Sequence, residues 1–274
     1  MDSSRPVVRK LNEIGRAGSL ELVFSVKNGK TVISHVYSEV PFKVTRLYYP
    51  PDSPLPQLIL MNTTAGLFPG DRLDVRILVK RGARVLITSQ ASTKVHPGTG
   101  IAEQSVDVTV EAGAELHLYN DPLIPFRGAS LRQRVGLSVW GDGRLYFWEA
   151  FMAGRVGSNE TWKFNEIATE LKLCRDGQLI YLERYQLDPR IDQPVQPWVM
   201  RDSVYVATGI ICDSAAKPPE METGTNLAID EPLHALWIAR VVARSGVEYR
   251  QLQQRAFACA FAMRGIEVPD LRKY

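Results

Sequence analysis

Apolar and polar residues alternate in short runs along most of this chain, and glycine-containing turns separate the runs. This pattern is typical of β-strands that bury one face. The first two clear runs, Leu20–Val26 and Lys30–Val36, flank Asn28 and Gly29, which readily adopt the positive φ angles of a tight two-residue hairpin. The pattern therefore predicts a mainly β protein with a hairpin near residue 28.

The middle of the chain repeats one unit: a strand, a glycine turn and a second strand. The units are Asp74–Lys80, Gly82 and Arg84–Thr88; Ser105–Val110, Gly113 and Glu115–Tyr119; Val135–Trp140, Gly143 and Arg144–Glu149; and Glu170–Cys174, Gly177 and Gln178–Glu183. The turn glycines are 31, 30 and 34 residues apart. Such a period predicts stacked strand-turn-strand units, β-helical or solenoid-like. A large sandwich with evenly spaced hairpins is the alternative.

Helical periodicity is found mainly near the C-terminus. Glu231–Arg244 and Glu248–Arg264 carry apolar residues at near-helical spacing, and Gly246 and Gly265 follow them as stop signals. We therefore expect two C-terminal helices, the second with an apolar stripe that joins the core. The expected organisation is a single domain over residues 1–274, with a β core at about 15–215 and a helical region at about 230–265.

Composition and charge argue against several functional classes. The 33 basic and 30 acidic residues give a formal net charge of +3, which is too small to suggest nucleic acid as the main partner. No run approaches the roughly 18–20 apolar residues of a membrane span, and Met1–Lys10 lacks the apolar region of a secretory signal. Three widely spaced cysteines fit a reducing compartment, so we expect a cytoplasmic protein.

The common catalytic signatures are missing from the sequence. There is no G-x-x-x-x-G-K-[ST] phosphate loop, so GTP or ATP hydrolysis through such a loop is not expected. The four histidines form no spaced pair and there is no C-x-x-C, which argues against a tight zinc-type site. We expect a protein that is not an enzyme and binds no cofactor tightly.

Two glutamates occupy unusual positions in the repeat. Glu149 and Glu183 each lie six residues after the turn glycine of their unit, at the end of an otherwise apolar row. A buried carboxylate is costly unless it is paired or binds a cation. One interpretation is an ion pair with Arg155 or Arg184, or an exposed strand end. The other is a polar interior that passes a divalent cation, in which stacking would bring the two carboxylates within several ångströms of each other.

The loop that follows Thr88 is the second candidate feature. Gln90, Ser92 and Lys94 make it polar, and a long connection in a β protein is often functional. Such a loop can also simply join two strands, and the sequence leaves both interpretations open. A carbohydrate-active enzyme that uses Glu149 and Glu183 on a β-solenoid is a further alternative.

Five segments, taken in order and spacing, resemble the UreD (UreH) family of urease accessory proteins. They are Asn62–Leu73, with Gly66, Gly70 and Asp71; Thr88–Val95, with Gln90, Ser92 and Lys94; Ile124–Ala129, with Arg127; Trp148 and Glu149 followed by Gly154 and Arg155; and Leu182–Arg184, which contains Glu183. The agreement extends over roughly residues 20–190. Ala65 and Pro69 replace usual glycines, His96 replaces a common aromatic residue, and the usual Pro-Arg-Ile-Trp ending is missing.

The resemblance implies a non-catalytic role in urease maturation. Family members bind the helical accessory protein UreF, which recruits the GTPase UreG, and the assembly docks on apo-urease and supports nickel delivery. The resemblance also implies an internal tunnel, with Glu149 and Glu183 as candidate acids for transient nickel passage. The C-terminal helices and Pro189–Trp198 are the expected contacts for a helical partner. A dimer within the accessory complex, and an interaction module without a metal role, remain open.

Overall fold

The strands of this protein form two facing sheets. The computed structural model describes residues 15–51, 53–196, 200–216 and 224–269. In chain order the strands are β1 (Ala17–Lys27), β2 (Lys30–Ser38), β3 (Phe42–Val44), β4 (Gln57–Asn62), β5 (Arg72–Val79), β6 (Arg84–Ser89), β7 (Thr93–Val95), β8 (Ala102–Val110), β9 (Glu115–Tyr119), β10 (Leu123–Pro125), β11 (Ser130–Val139), β12 (Arg144–Met152), β13 (Glu166–Arg175), β14 (Gln178–Leu187), β15 (Tyr205–Cys212), β16 (Leu227–Leu233) and β17 (Leu236–Ala243). Two helices, α1 (Pro189–Asp192) and α2 (Gly246–Ala262), and a 3₁₀ turn at Val156–Ser158 complete the described elements.

The two sheets enclose one main apolar core. The first sheet has seven strands in the order β14-β13-β11-β8-β5-β1-β2. The second has ten, and its main path runs β16-β17-β15-β12-β9-β6-β4-β3, with β7 and β10 beside it. Inward-facing residues of both sheets, such as Ile77 and Val108 from the first and Leu116 and Phe147 from the second, form a single cluster. Alternation along each strand thus places one face of each sheet in the core.

The period near 30 residues corresponds to parallel pairing between successive units. In the first sheet Val75 pairs with Val106, and Val106 pairs with Val135. In the second sheet β4, β6, β9 and β12 also run parallel. The prediction of a mainly β protein is confirmed, whereas a β-helical or solenoid-like coil stays a prediction.

The first three units differ from the hairpins that the sequence predicts. The two strands of each unit, such as β5 and β6, lie in opposite sheets, because the glycine turn carries the chain from one sheet to the other. The fourth unit is a hairpin within the first sheet, in which β13 and β14 pair antiparallel. At its turn, Asp176 and Gly177 have φ angles of 51° and 79°. Two successive positive φ angles form the tight turn that folds a strand back beside its neighbour.

The predicted helix at Glu231–Arg244 is wrong, because these residues lie mostly in the antiparallel hairpin β16–β17. Strand β17 is covered on both faces: Ile238 packs in the core between the sheets, and Val241 packs beneath α2. A strand that is buried on both faces carries an almost continuous apolar run, which spacing alone cannot distinguish from a helix. The β part of the protein therefore extends to Ala243, beyond the expected boundary near residue 215.

The second predicted C-terminal helix is confirmed as α2. It starts at Gly246, which the sequence pattern assigned as a stop, because the Ser245 side chain accepts a hydrogen bond from the backbone N–H of Glu248 and caps the helix. Its apolar stripe, including Phe257 and Phe261, is buried against the outer face of the second sheet. The stripe therefore belongs to the core and is not available to a helical partner.

One further expectation concerns a segment on the surface. The predicted partner contact at Pro189–Trp198 includes α1, while residues 197–199 lie outside the described part of the chain.

Among the helices of the described residues, none is both long and apolar enough to cross a bilayer.

Candidate functional site

A cavity of about 260 Å³ opens between the two sheets, at the end opposite the glycine turns. The loops around residues 64–66 and 89–94 form part of its wall. Inward residues of four strands form another part, and they are Leu73 and Val75 of β5, Gln104 and Val106 of β8, Gln133 and Val135 of β11, and Phe147 and Glu149 of β12. The cavity brings together five residues that the sequence predicts as functional: Gly66, Gln90, Ser92, Lys94 and Glu149.

Gly66 gives the wall of this cavity its shape. Its φ is +136°, and a Cβ atom at this position would lie 2.2 Å from the carbonyl oxygen of Lys94. The backbone of the loop therefore packs directly on β7, where the N–H of Leu67 donates to the Lys94 carbonyl at 2.8 Å. Only glycine permits this close approach.

Asp71 and Thr88 support the site from positions outside the cavity. The buried carboxylate of Asp71 accepts the backbone N–H groups of Arg16 and Phe68, both at 2.8 Å, and so fixes the turn that contains Gly70, whose φ is +84°. The hydroxyl of Thr88 donates to the Tyr119 carbonyl at 2.6 Å and joins two neighbouring strands. These residues hold the loops in place and do not line the cavity.

Glu149 of β12 lines the cavity. It is partly buried, and its carboxylate accepts a hydrogen bond from Nε2 of Gln133 at 2.8 Å. Burial, followed by the negative charge of Glu183, raises the pKa of Glu149 to about 8. The side chain is therefore mostly protonated at neutral pH, which lowers the cost of keeping it between the sheets.

Glu183 approaches the same interior from the other sheet. It lies on β14 of the first sheet, and its carboxylate reaches across to pair with Arg240 on β17 of the second sheet. The hydroxyl of Tyr181 donates to it at 3.1 Å, and that of Thr208 lies 3.4 Å away. Glu149 and Glu183 are thus not equivalent positions of stacked units, as the repeat predicts, but they face one interior from opposite sheets.

The predicted ion pairs with Arg155 or Arg184 are wrong. Arg155 lies past the end of β12, where it forms a two-pronged pair with Glu160 at 2.6 and 2.8 Å. Arg184 pairs with Glu170 at 3.6 Å and is exposed. Because successive side chains of a strand point to opposite faces, Arg184 cannot reach the carboxylate of its neighbour Glu183 inside the sandwich.

A small cluster of rings is formed by Phe68, His96 and Phe126. His96 stacks on Phe68 at 4.3 Å between ring centroids and meets Phe126 edge-on at 4.9 Å. The guanidinium of Arg155 lies 4.3 Å above the Phe126 ring. His96 therefore takes the place of an aromatic residue by stacking, while the exposed Arg127 contributes its backbone N–H to Glu160 at 3.4 Å.

Several residues of the site were not predicted from the sequence. Gln104 and Gln133 pair in register on adjacent strands and line the cavity. Both occupy inward positions of otherwise apolar alternation, a signal that a search for polar residues on buried faces would have found. Arg240 was missed because its segment was predicted to be helical.

The donor set fits weak binding of a cation. In the described part of the chain, no group of three or more His, Cys, Asp or Glu residues is placed to hold a metal ion. The interior offers two carboxylates on opposite sheets, together with amide and hydroxyl oxygens. Oxygen ligands of this kind bind a divalent transition-metal ion less tightly than the nitrogen of histidine or the sulfur of cysteine would.

Comparisons with known proteins identify the family of this chain. The family model of the UreD urease accessory protein matches residues 16–272. A urease accessory protein UreD of Sorangium cellulosum is 31% identical over 175 residues, 64% of this chain and 55% of the relative. A urease accessory protein UreH of Helicobacter pylori strain P12 is 32% identical over 164 residues, 60% of this chain and 62% of the relative.

A urease accessory protein UreD of Deinococcus radiodurans is 29% identical over 214 residues, 77% of this chain and 76% of the relative. The matches to the Sorangium and Helicobacter proteins span less than two thirds of those relatives. The family model, by contrast, covers nearly all of this chain. The chain belongs to the UreD family of urease accessory proteins.

Proposed function

We propose that this protein serves urease maturation as a non-catalytic scaffold and as a passage for Ni²⁺. Partners of the UreF and UreG type would assemble with it, and apo-urease would receive the metal. The observation that carries the proposal is the cavity between the sheets, which the carboxyl group of Glu149 lines. Family membership supplies the setting in urease maturation, and the cavity supplies the physical means.

The chemistry of the cavity suits transfer better than storage. An ion that passes through a protein must exchange its water ligands for protein ligands and then leave them again. Amide and carboxyl oxygens from Gln104, Gln133 and Glu149 can replace water without holding the ion as tightly as histidine or cysteine. The exposed Lys94 and the small side chains of the loop leave the mouth open.

The positions of the tryptophans favour this passage over a carbohydrate-active enzyme. Sugar-binding clefts need aromatic platforms beside the two carboxylates. Trp148 is buried beneath α2 and donates to the Tyr249 hydroxyl, and Trp140 lies at the turn end of the sandwich. Among the residues that line the described cavity there is no tryptophan, and the Glu183 carboxylate is engaged by Arg240.

The substitution Glu149→Gln tests the proposal. It keeps the shape of the side chain and the hydrogen bond to Gln133 but removes a carboxyl group that can give up its proton and bind a cation. When the variant is co-expressed with urease and the other accessory proteins, we expect urease activity and urease-bound nickel to fall several-fold and to recover partly in excess nickel. Both quantities are measured on purified urease.

The matched control is Glu103→Gln, on the outer face of the first sheet, where the Glu103 side chain is 36% exposed and pairs with surface arginines. This control should activate urease normally. Normal activation and nickel content with Glu149→Gln would contradict a passage through the cavity and favour an interaction module without a metal role. Co-purification with the UreF partner must be unchanged in both variants.

A further inference from the structure

Three residues form a row across the inner face of the second sheet. Glu149 on β12 pairs in register with Thr208 on β15, and Thr208 pairs with Arg240 on β17. Residues directly opposite each other on adjacent strands point to the same side of a sheet. The row therefore joins the carboxyl group of Glu149, which lines the cavity, to the partly exposed guanidinium of Arg240.

Arg240 is held at the end of this row by three side chains. Its Nη1 atom donates to Glu183 and, at 2.9 Å, to the Thr208 hydroxyl. Its Nη2 atom donates to the Tyr181 hydroxyl at 2.5 Å. Within the described residues, Arg240 is the cationic side chain that pairs with Glu183, while Glu149 is hydrogen-bonded by a neutral amide. The guanidinium thus takes the position of a cation beside Glu183.

The exposure of the two partners is unequal. The Glu183 side chain is only 14% exposed, whereas that of Arg240 is 42% exposed. Glu183 is therefore fixed inside and needs a positive neighbour, because an unpaired carboxylate there is costly. Arg240 can turn toward solvent, where water hydrates its charge, because its long side chain already reaches the surface. A second cation that binds Glu183 could replace it.

We propose that Arg240 is a displaceable counter-cation that closes the inner end of the passage. A divalent ion that arrives from Glu149 takes over the Glu183 carboxylate, and the Arg240 side chain moves out into solvent. Before the ion arrives, the guanidinium keeps Glu183 compensated and keeps the sheets together. This step rests on the proposed function in two respects, that the arriving ion is Ni²⁺ and that it comes through the cavity that Glu149 lines.

The test measures binding of NiCl₂ to the isolated protein, without urease or partners. Arg240→Gln removes the competing charge, so Ni²⁺ should bind at least about tenfold more tightly than to the wild type. In EDTA the variant should melt at a lower temperature than the wild type, because Glu183 is then uncompensated. Added Ni²⁺ should recover most of this loss. Titration calorimetry and thermal melts give the two readings.

The double variant Glu183→Gln with Arg240→Gln is the matched control. It keeps every histidine and cysteine of the protein and removes both charges of the pair, so it should lose the tight Ni²⁺ binding and the recovery of melting temperature. Tight binding that persists in the double variant would place the ion elsewhere and overturn the proposal.

A structural ion pair predicts a different result. Arg240→Gln would then melt early, and Ni²⁺ would neither bind more tightly nor restore stability, which would overturn the proposal. If Arg240→Gln fails to fold, Arg240→Lys serves instead. Lysine lacks the planar fork that contacts Thr208 and Tyr181 together, so it should compete less well and give an affinity between those of the wild type and the neutral variant. An affinity unchanged from the wild type would reject displacement.

These outcomes separate the two proposals. If Glu149→Gln activates urease normally while Arg240→Gln binds Ni²⁺ more tightly, the passage past Glu149 fails, and only the displacement of Arg240 from Glu183 by a cation stands. If Glu149→Gln impairs activation while Arg240→Gln shows no gain in Ni²⁺ affinity, the passage stands and Arg240 is only a structural partner.

Discussion

At the scale of single residues, the protonation of Glu149 distinguishes it from a surface glutamate. Its pKa rises from the ordinary glutamate value of 4.5 to about 8 in the folded protein, first because burial disfavours the charge and second because Glu183 is negative. Its hydrogen bond from Gln133 and the charge of Arg240 act in the opposite direction but are weaker. The residue therefore keeps its proton under conditions in which the unfolded chain has lost it.

This difference predicts a pH dependence of stability. The folded protein binds one more proton than the unfolded chain between the two pKa values, so the contribution of Glu149 is fully present below pH 4.5 and is lost as pH rises through about 8. Over that range the wild type should lose free energy of unfolding relative to Glu149→Gln, at most about 1.4 kcal/mol per pH unit.

Urea denaturation of both proteins at several pH values between 5 and 8 checks this expectation. The difference between the two proteins cancels the other titrating groups, provided that these are unaffected by the substitution. A constant difference across the range would mean that Glu149 titrates in the folded protein as it does in water.

At the scale of elements, α2 is held to the second sheet by charge as well as by its apolar stripe. Arg264, just past the helix, has its Nη2 atom 3.4 Å from Glu115 and its Nε atom 3.8 Å from Asp213. Both acids are buried. Burial alone would raise the pKa of Glu115, but the hydrogen bond from His117 and the charges of Arg264 and Arg84 lower it to about 2. Glu115 thus remains ionised beneath the helix.

Loss of Arg264 should therefore loosen α2. Arg264→Gln leaves two buried carboxylates with less compensation, and we expect about 3 kcal/mol of destabilisation, most of it at the helix. Amide hydrogen exchange should accelerate in α2 while β5 and β8 stay protected. Gln254→Ala, at an exposed position of the same helix, is the control and should change little. Equal protection of α2 in the wild type and Arg264→Gln would show that the apolar stripe alone holds it.

At the scale of the whole molecule, strand position determines which parts are most stable. β5, β8, β11, β6, β9 and β12 each have a strand on both sides and contribute to the main core. The edge strand β2 has one neighbour and a mostly exposed face. β14 and β16 end their sheets in the same way. Stability should therefore decrease from the middle of the sandwich to its edges.

Native-state hydrogen exchange of the wild-type protein tests this order. The slowest amides should belong to the six central strands and should exchange with the free energy of global unfolding. Amides of β2, β14 and β16 should exchange at least about tenfold faster through local opening. Uniform protection across both sheets would instead indicate a single cooperative unit that includes its edges.

Local patterns in the sequence were enough for much of the fold and part of the site. The alternation of apolar and polar residues predicted the strand units, and the spacing of the turn glycines predicted their period. The apolar stripe of Glu248–Arg264 predicted α2. The loop residues Gln90, Ser92 and Lys94 and the strand residue Glu149 were candidate site residues, and the structure places all four at one cavity. These features depend on residues that are close in the chain, so the sequence can show them directly.

Only the tertiary structure decided which strands pair and which charges meet. It placed the two strands of the first three units in opposite sheets, and it made a strand of a segment whose apolar spacing resembled a helix. It also selected Arg240, 57 residues from Glu183, over the nearby Arg184 as the partner of that carboxylate. The physical reason is that pairing and burial depend on what the rest of the chain places opposite a residue, and a local pattern does not contain that information.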